Sequence, residues 1–259
     1  MRQYFALFKV RFNAGLQYRG AALAGVVTQF AWGFLSILLF TAFNTTEMSP
    51  ENLSTFFWLR QSTIALTAIW MMDTSLFQVI ESGDVAYECA RPTDLYTLWF
   101  VRNVAFRCAR FVLRAGPIVF VALFLPEPFR MSLPQTLTTF TLFIVSLGIT
   151  LLLEISINMF LYIGTMYMKS SLGIRILTIS LFDLLDGSNI PYPFFPKPVQ
   201  EFFKFTFFYG LQTTPFFIYM GLIQPISAIA IQVVWLILFV LLGKFLMSKA
   251  LQRIEVFGG

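Results

Sequence analysis

A charge-rich block at residues 81–114, ESGDVAYECARPTDLYTLWFVRNVAFRCARFVLR, interrupts a chain otherwise built of apolar runs, and no other stretch constrains the fold as strongly. Nine of its residues are Asp, Glu or Arg. The runs around it are long enough to cross a bilayer, which takes roughly 20 residues of helix. Among lipid tails a block of this charge has no stable place, because its groups find no water there. It is therefore expected at one membrane face, within reach of a soluble partner.

The composition fits a membrane protein. Of 259 residues, 58% are hydrophobic and 12% charged, against about 25% charged in an ordinary soluble domain. Phenylalanine occurs 32 times and histidine not at all. Catalysis by a histidine base and zinc binding through imidazole are therefore excluded. Cys89 and Cys108 have no C-x-x-C spacing and both lie in the charged block. On the reducing side of a membrane they are expected to be free thiols.

Taken in order, the chain is expected to be all-α, a polytopic membrane protein with six transmembrane helices in one domain spanning 1–259. Residues 1–20 carry Tyr4, Phe8, Phe12 and Leu16 four apart, with Arg2, Lys9 and Arg11 on other faces. That pattern is a basic, aromatic helix lying in the interface. No short hydrophobic core with a small-residue cleavage site follows it, so it is read as retained. Spans are expected at 21–43, 56–80, 104–125, 135–168, 174–186 and 226–247. Residues 81–103 form the charged loop. Four prolines within GSNIPYPFFPKP forbid a regular helix after the fifth run. Residues 187–222 are read as a broken segment whose half-helices re-enter the membrane, a backbone tolerated where protein or water surrounds it.

Orientation follows from the basic residues. With both termini, the charged loop and the turn near 169–175 inside, 14 of the 18 Lys and Arg lie on the cytoplasmic side. Arg60, Arg130, Lys197 and Lys204 are the remainder. The positive-inside rule selects this arrangement.

With the loop placed inside, ESGDVAYECARPTDLY at 81–96 resembles the cytoplasmic loop of bacterial permeases of the ATP-binding-cassette superfamily. The resemblance is to the small six-span permeases of the type-2 exporter class, whose loop reads SGD, a few apolar residues, then RP. The N-terminal basic-aromatic helix, the stretch GSNIPYPFFPKPVQ and the tail LQRIEVFGG look like the same group, so the resemblance covers nearly the whole chain. It implies a permease subunit in the bacterial cytoplasmic (inner) membrane that binds no cofactor itself. ATP and Mg2+ belong to separate nucleotide-binding ATPase subunits, and a second permease, a copy or a paralogue, completes the path for a small or amphipathic cargo. Carried over to this chain, Glu81, Gly83, Asp84, Arg91 and Pro92 match the loop pattern and become candidate coupling residues. Thr93 and Asp94 after the proline depart from it, as does the strongly aromatic segment at 192–219.

The residues themselves suit such a loop. Gly83 permits a sharp turn, Asp84 is placed to cap a helix, and Pro92 to stop it, with Asp94 capping the next. Glu88 offers charge to a partner, or pairs with Arg91 three residues on. Inside the spans, Glu154 and Asn158 share a face of the fourth helix, where an amide hydrogen bond would join them. That face lines the export path or a permease interface, or it holds helices together within the subunit. Asp73 lies near the inner end of the second span. Asp183 and Asp186 end the fifth, either anchoring the segment that contains Pro191 and Pro215 or simply closing the apolar run. Arg102, Arg107, Arg110 and Arg114 form a stripe suited to anionic lipid headgroups or to Glu and Asp of neighbouring chains.

No GxxxxGK[ST] loop is present to cradle a nucleotide phosphate, and the basic residues decorate spans rather than a soluble groove for nucleic acid. Three alternatives to the exporter permease remain at this level. They are a secondary transporter, which usually repeats its broken helices, a membrane-embedded enzyme, and a non-transporting assembly subunit.

Overall fold

The computed structural model describes residues 2–43, 47–168 and 170–252. Lys169, in the expected inner turn, and the basic, glycine-ended tail from Arg253 lie outside the described residues. Every regular element among them is helical. In chain order the helices are α1 (Arg2–Gly15), α2 (Arg19–Ala42), α3 (Pro50–Thr67), α4 (Thr74–Glu81), α5 (Val85–Cys89) and α6 (Leu95–Phe124). They continue as α7 (Leu137–Met168), α8 (Leu172–Leu185), α9 (Lys197–Phe203), α10 (Phe207–Leu211), α11 (Thr213–Tyr219) and α12 (Pro225–Leu251). Among the described residues, α2, α7 and α12 are long and apolar enough to cross a membrane by length and composition.

Local sequence explains where several helices begin. Ser49 caps α3, its hydroxyl accepting from the Asn52 amide at 3.2 Å, and Pro50 takes the first position, where a missing N–H costs nothing. Asp94 caps α6 through the Thr97 amide at 2.9 Å. Pro225 starts α12 in the same way as Pro50.

Helix α7 is the centre of the bundle, touching α3, α4, α6, α8, α10, α11 and α12. More than half of its most apolar stretch is buried, whereas α2 and α12 leave most of theirs exposed. Leu23, Val27, Leu35 and Leu39 on α2, and Val234, Ile237 and Leu241 on α12, are among the exposed apolar side chains. Such faces suit lipid rather than water. The core is strongly aromatic. Phe56, Phe57 and Trp58 of α3, Phe77 of α4, Trp99 of α6 and Tyr162 of α7 are all fully buried. Trp58 is fixed by its Nε1 donating to the Phe129 carbonyl at 2.6 Å and by an edge-on contact with Phe34. Close approach of α2 to α3 depends on Gly33, where an added Cβ would lie 2.6 Å from the Trp58 ring.

Three expectations need correction. The run 56–80 is not one helix: α3 ends at Thr67, residues 68–73 leave the helical path, and α4 restarts under an Asp73 cap whose carboxylate accepts from the Ser75 amide at 3.1 Å. The break is stabilised from outside, because Arg107 on α6 donates to the otherwise orphaned Leu66 carbonyl at 2.7 Å. The charged loop is also shorter than 81–103, since the Asp94 cap starts α6 at Leu95. Finally, the arginine stripe of α6 largely faces protein. Arg102 and Arg107 are buried, and Arg110 lies over the ring of its own Phe106 at 3.3 Å.

Residues 187–222 form a 3-10 turn at Tyr192–Phe194 followed by α9, α10 and α11. Helix α1 carries no buried residue but runs against α6, where the Tyr4 hydroxyl accepts from the Asp94 amide at 3.1 Å. Cys89 is exposed and Cys108 half-buried, and both are free thiols.

Candidate coupling site and buried polar core

The SGD…RP stretch forms a small knuckle at one end of the bundle. Gly83 has φ +83°, a left-handed conformation that turns the chain from α4 into α5 with no steric penalty. Asp84 does not cap α5 as expected. Its carboxylate instead accepts from the Ser82 hydroxyl at 2.7 Å, closing the turn locally. Val85 is buried and anchors the knuckle, while Asp84, Tyr87, Cys89, Arg91 and Pro92 are exposed. Tyr87 is an aromatic side chain left 78% exposed.

Two ties hold the knuckle to the helices behind it. Glu88 does not pair with Arg91 among the described residues. Its carboxylate accepts from Trp99 Nε1 at 2.5 Å and lies 3.8 Å from Arg102 Nη1. Glu81, at the end of α4, accepts from the Ser171 amide at 2.7 Å, just before α8. That hydrogen bond holds the Glu81 carboxyl below its ordinary value. Burial and the neighbouring Glu88 charge push the Cys89 thiol up.

Arg102 links the knuckle to the interior. Its Nε donates to Asp73 at 2.7 Å and its Nη2 to the Ser75 hydroxyl. Asn103 then joins α6 to α7: its amide nitrogen donates to the Trp99 carbonyl of its own helix at 2.9 Å, and its oxygen lies 3.0 Å from the Tyr162 hydroxyl of α7. One turn further along α6, the fully buried Arg107 faces the fully buried Glu154, 4.0 Å apart. The expected Glu154–Asn158 hydrogen bond is not formed. Both Glu154 oxygens and both Asn158 amide atoms are buried without a hydrogen-bond partner. An adjacent turn of helix therefore carries several unmet hydrogen-bonding groups, an arrangement that is costly in a low-dielectric interior.

At the other end, Asp186 and Asp183 anchor the proline-rich segment. Asp186 is buried and accepts from the Ser188 amide at 2.7 Å and from Gln212 Nε2 at 3.1 Å. The Asp183 carbonyl accepts from Asn189 at 3.0 Å, and Asn189 accepts in turn from Arg60 of α3 at 2.5 Å. Pro191 leads into the 3-10 turn, and Pro215 is buried in the first turn of α11, where a proline nitrogen displaces no helical hydrogen bond. Asn103 and Arg60 were not among the expected sites, and Arg102 and Arg107 were expected only within a stripe toward lipid headgroups or acids of neighbouring chains. The usable signal was charge balance, since acids inside apolar runs call for cations elsewhere in the bundle.

Among the described residues no cluster of three or more His, Cys, Asp or Glu side chains is arranged to hold a metal. The chain is a bundle with a tied, exposed knuckle at one end and a charged core behind it. Comparison with curated proteins returned no match. The family model described as ABC-2 family transporter protein matches residues 23–258, nearly the whole chain. The chain is a membrane transport protein of the permease type and belongs to the ABC-2 transporter family.

Proposed function

We propose that this chain is the membrane-spanning subunit of an ATP-driven exporter in the bacterial inner membrane. In this reading it crosses the membrane six times with both termini cytoplasmic, and the segment at 187–222 dips back from the outer face. It pairs with a second permease, a copy or a paralogue, and carries no catalytic site of its own. ATP and Mg2+ are handled by nucleotide-binding ATPase subunits docked on the knuckle around α5. Closure of those subunits moves the knuckle, and the spans open a path for a small or amphipathic cargo.

The observation that carries the reading is the tied but exposed knuckle. Asp84, Tyr87, Arg91 and Pro92 present an uncovered mixed surface, while Glu81 and Glu88 fasten the same segment to α8 and α6. A surface built to receive force needs both an open face and a stiff attachment. The 14 basic residues on the knuckle side support its cytoplasmic placement.

The test is gentle extraction from the native membrane, capture, and identification of what accompanies the chain, repeated with Asp84→Arg. A stoichiometric ATPase that is lost on the substitution is the expected result. If crosslinked capture brings no nucleotide-binding protein, the exporter reading fails.

A further inference from the structure

A cavity of about 520 Å³ opens between α2, α3, α6 and the end of α8, outside the coupling knuckle and the buried core. Its volume is that of a site for a drug-sized molecule. Along one wall runs a stripe of α2 at helical spacing: Gly25, Gln29, Trp32, Ser36 and Leu39. Two guanidinium groups face it, Arg60 at one end and Arg114 at the other. Among the described residues neither is in an ion pair with a carboxylate.

The two arginines are not equivalent. Arg60 is already engaged by Asn189, and Asp183 also lines its end of the cavity. Arg114 has no such company, and its Nε is buried without a hydrogen-bond partner. Its guanidinium lies against Gly25, where an added Cβ would be 2.8 Å from Arg114 Cζ, so the missing side chain makes the space the fork occupies. One turn along α2, Gln29 is 6% exposed and its Oε1 is also unpartnered. A cation and a buried acceptor, both unsatisfied, thus stand together at the Arg114 end. Trp32, Leu35 and Leu39 supply an apolar wall beyond them.

Resting on the transporter reading above, we propose that this cavity binds an amphiphile with an acidic headgroup. Its phosphate or carboxylate sits on Arg114, a hydroxyl or amide hydrogen on it donates to Gln29 Oε1, and its apolar part lies along Trp32, Leu35 and Leu39. A planar guanidinium suits two-point recognition of such an anion. Both an exported small molecule and an anionic membrane lipid carry this chemistry.

The test needs no ATPase, so its outcome is separate from that of the capture experiment. The permease is placed in phosphatidylcholine nanodiscs and its tryptophan emission is titrated with decyl phosphate, with protein-free discs as the blank. Decyltrimethylammonium and decanol serve as cationic and neutral controls. Saturable binding of decyl phosphate, at least tenfold tighter than either control, is expected. Arg114→Gln should weaken it about tenfold or more, and Arg114→Lys, which keeps the charge but not the two-point fork and guards against misfolding, should bind with an affinity between the two. Repeating the titration in phosphatidylglycerol discs separates the sources: a shift of tenfold or more marks a lipid occupant, and an unchanged curve marks a cargo that lipid does not displace. Equal binding of all three amphiphiles, or wild-type affinity in Arg114→Gln, would overturn the proposal.

Discussion

Arg107 and Glu154 illustrate how a buried pair is held by mutual need. Both are fully buried, 4.0 Å apart, and most of their hydrogen-bonding atoms lack partners. Removing one partner strands a charge in a medium that cannot solvate it, which typically costs about 3–5 kcal/mol, whereas replacing both with apolar residues of similar volume is often near neutral. Arg107→Met alone is therefore expected to destabilise the detergent-solubilised protein by about that amount. The double variant Arg107→Met, Glu154→Met should recover part of the loss, short of the hydrogen bond that Arg107 gives the Leu66 carbonyl. Thermal unfolding monitored by size exclusion checks the cycle, and additive losses would argue against a functional pair. The sequence singled out Glu154 as a charge inside an apolar run, but it assigned Asn158 as the partner because helical spacing was the only geometry available. Arg107 is 47 positions away in the chain and becomes a neighbour only when α6 packs on α7.

At the level of elements, the tight pairing of α2 with α3 turns on one missing side chain. The Trp58 ring cannot retreat easily, since its nitrogen is bonded to the Phe129 carbonyl and its edge meets Phe34. Gly33→Leu is expected to force the helices apart and cost about 1–3 kcal/mol or more, read as a lower melting temperature. The mild Gly33→Ala should fall between it and wild type. The all-helical class was legible from apolar length, and the start of α6 from the Asp94 cap, whereas the Ser49 cap of α3 lay in a stretch read as a polar loop. The break at 68–73 was not legible, because Ala68, Ile69, Trp70, Met71 and Met72 contain no helix breaker. Its cause is tertiary: Arg107 and Arg102, both from α6, satisfy the backbone and the cap at either side of the gap. The arginine stripe was likewise visible as a pattern, but its inward direction depended on acids contributed by other helices.

For the whole molecule, the decisive question is which membrane face the knuckle occupies. Cys89 provides a native reporter, because it is exposed on α5. In a Cys108→Ser background, an impermeant maleimide is expected to label Cys89 in inside-out vesicles and to leave it unlabelled in right-side-out vesicles. The reverse pattern would invert the proposed topology. The thiolate is the reacting form, and burial together with Glu88 holds the thiol above its ordinary value of 9.0. The labelling rate should therefore climb by roughly tenfold per pH unit between about pH 7 and 8.5, with no plateau in that range. Replacing Glu88 with Gln removes one of the two causes and should speed the reaction at a fixed pH.

The gap in the second apolar run has a mechanical consequence. Its upper side is pinned to α6 through Leu66 and Arg107, and its lower side through Asp73 and Arg102. Helix α4, about 12 Å long, and the knuckle beyond it are thus tied to α6 through Asp73 and packed on α7, with residues 68–73 separating them from α3. In the proposed coupling, a push on the knuckle would reach α6 through Asp73 and Arg102, and the central α7 through Asn103 and Tyr162. On that reading the helix that follows the knuckle in the chain carries its movement as much as the one that precedes it.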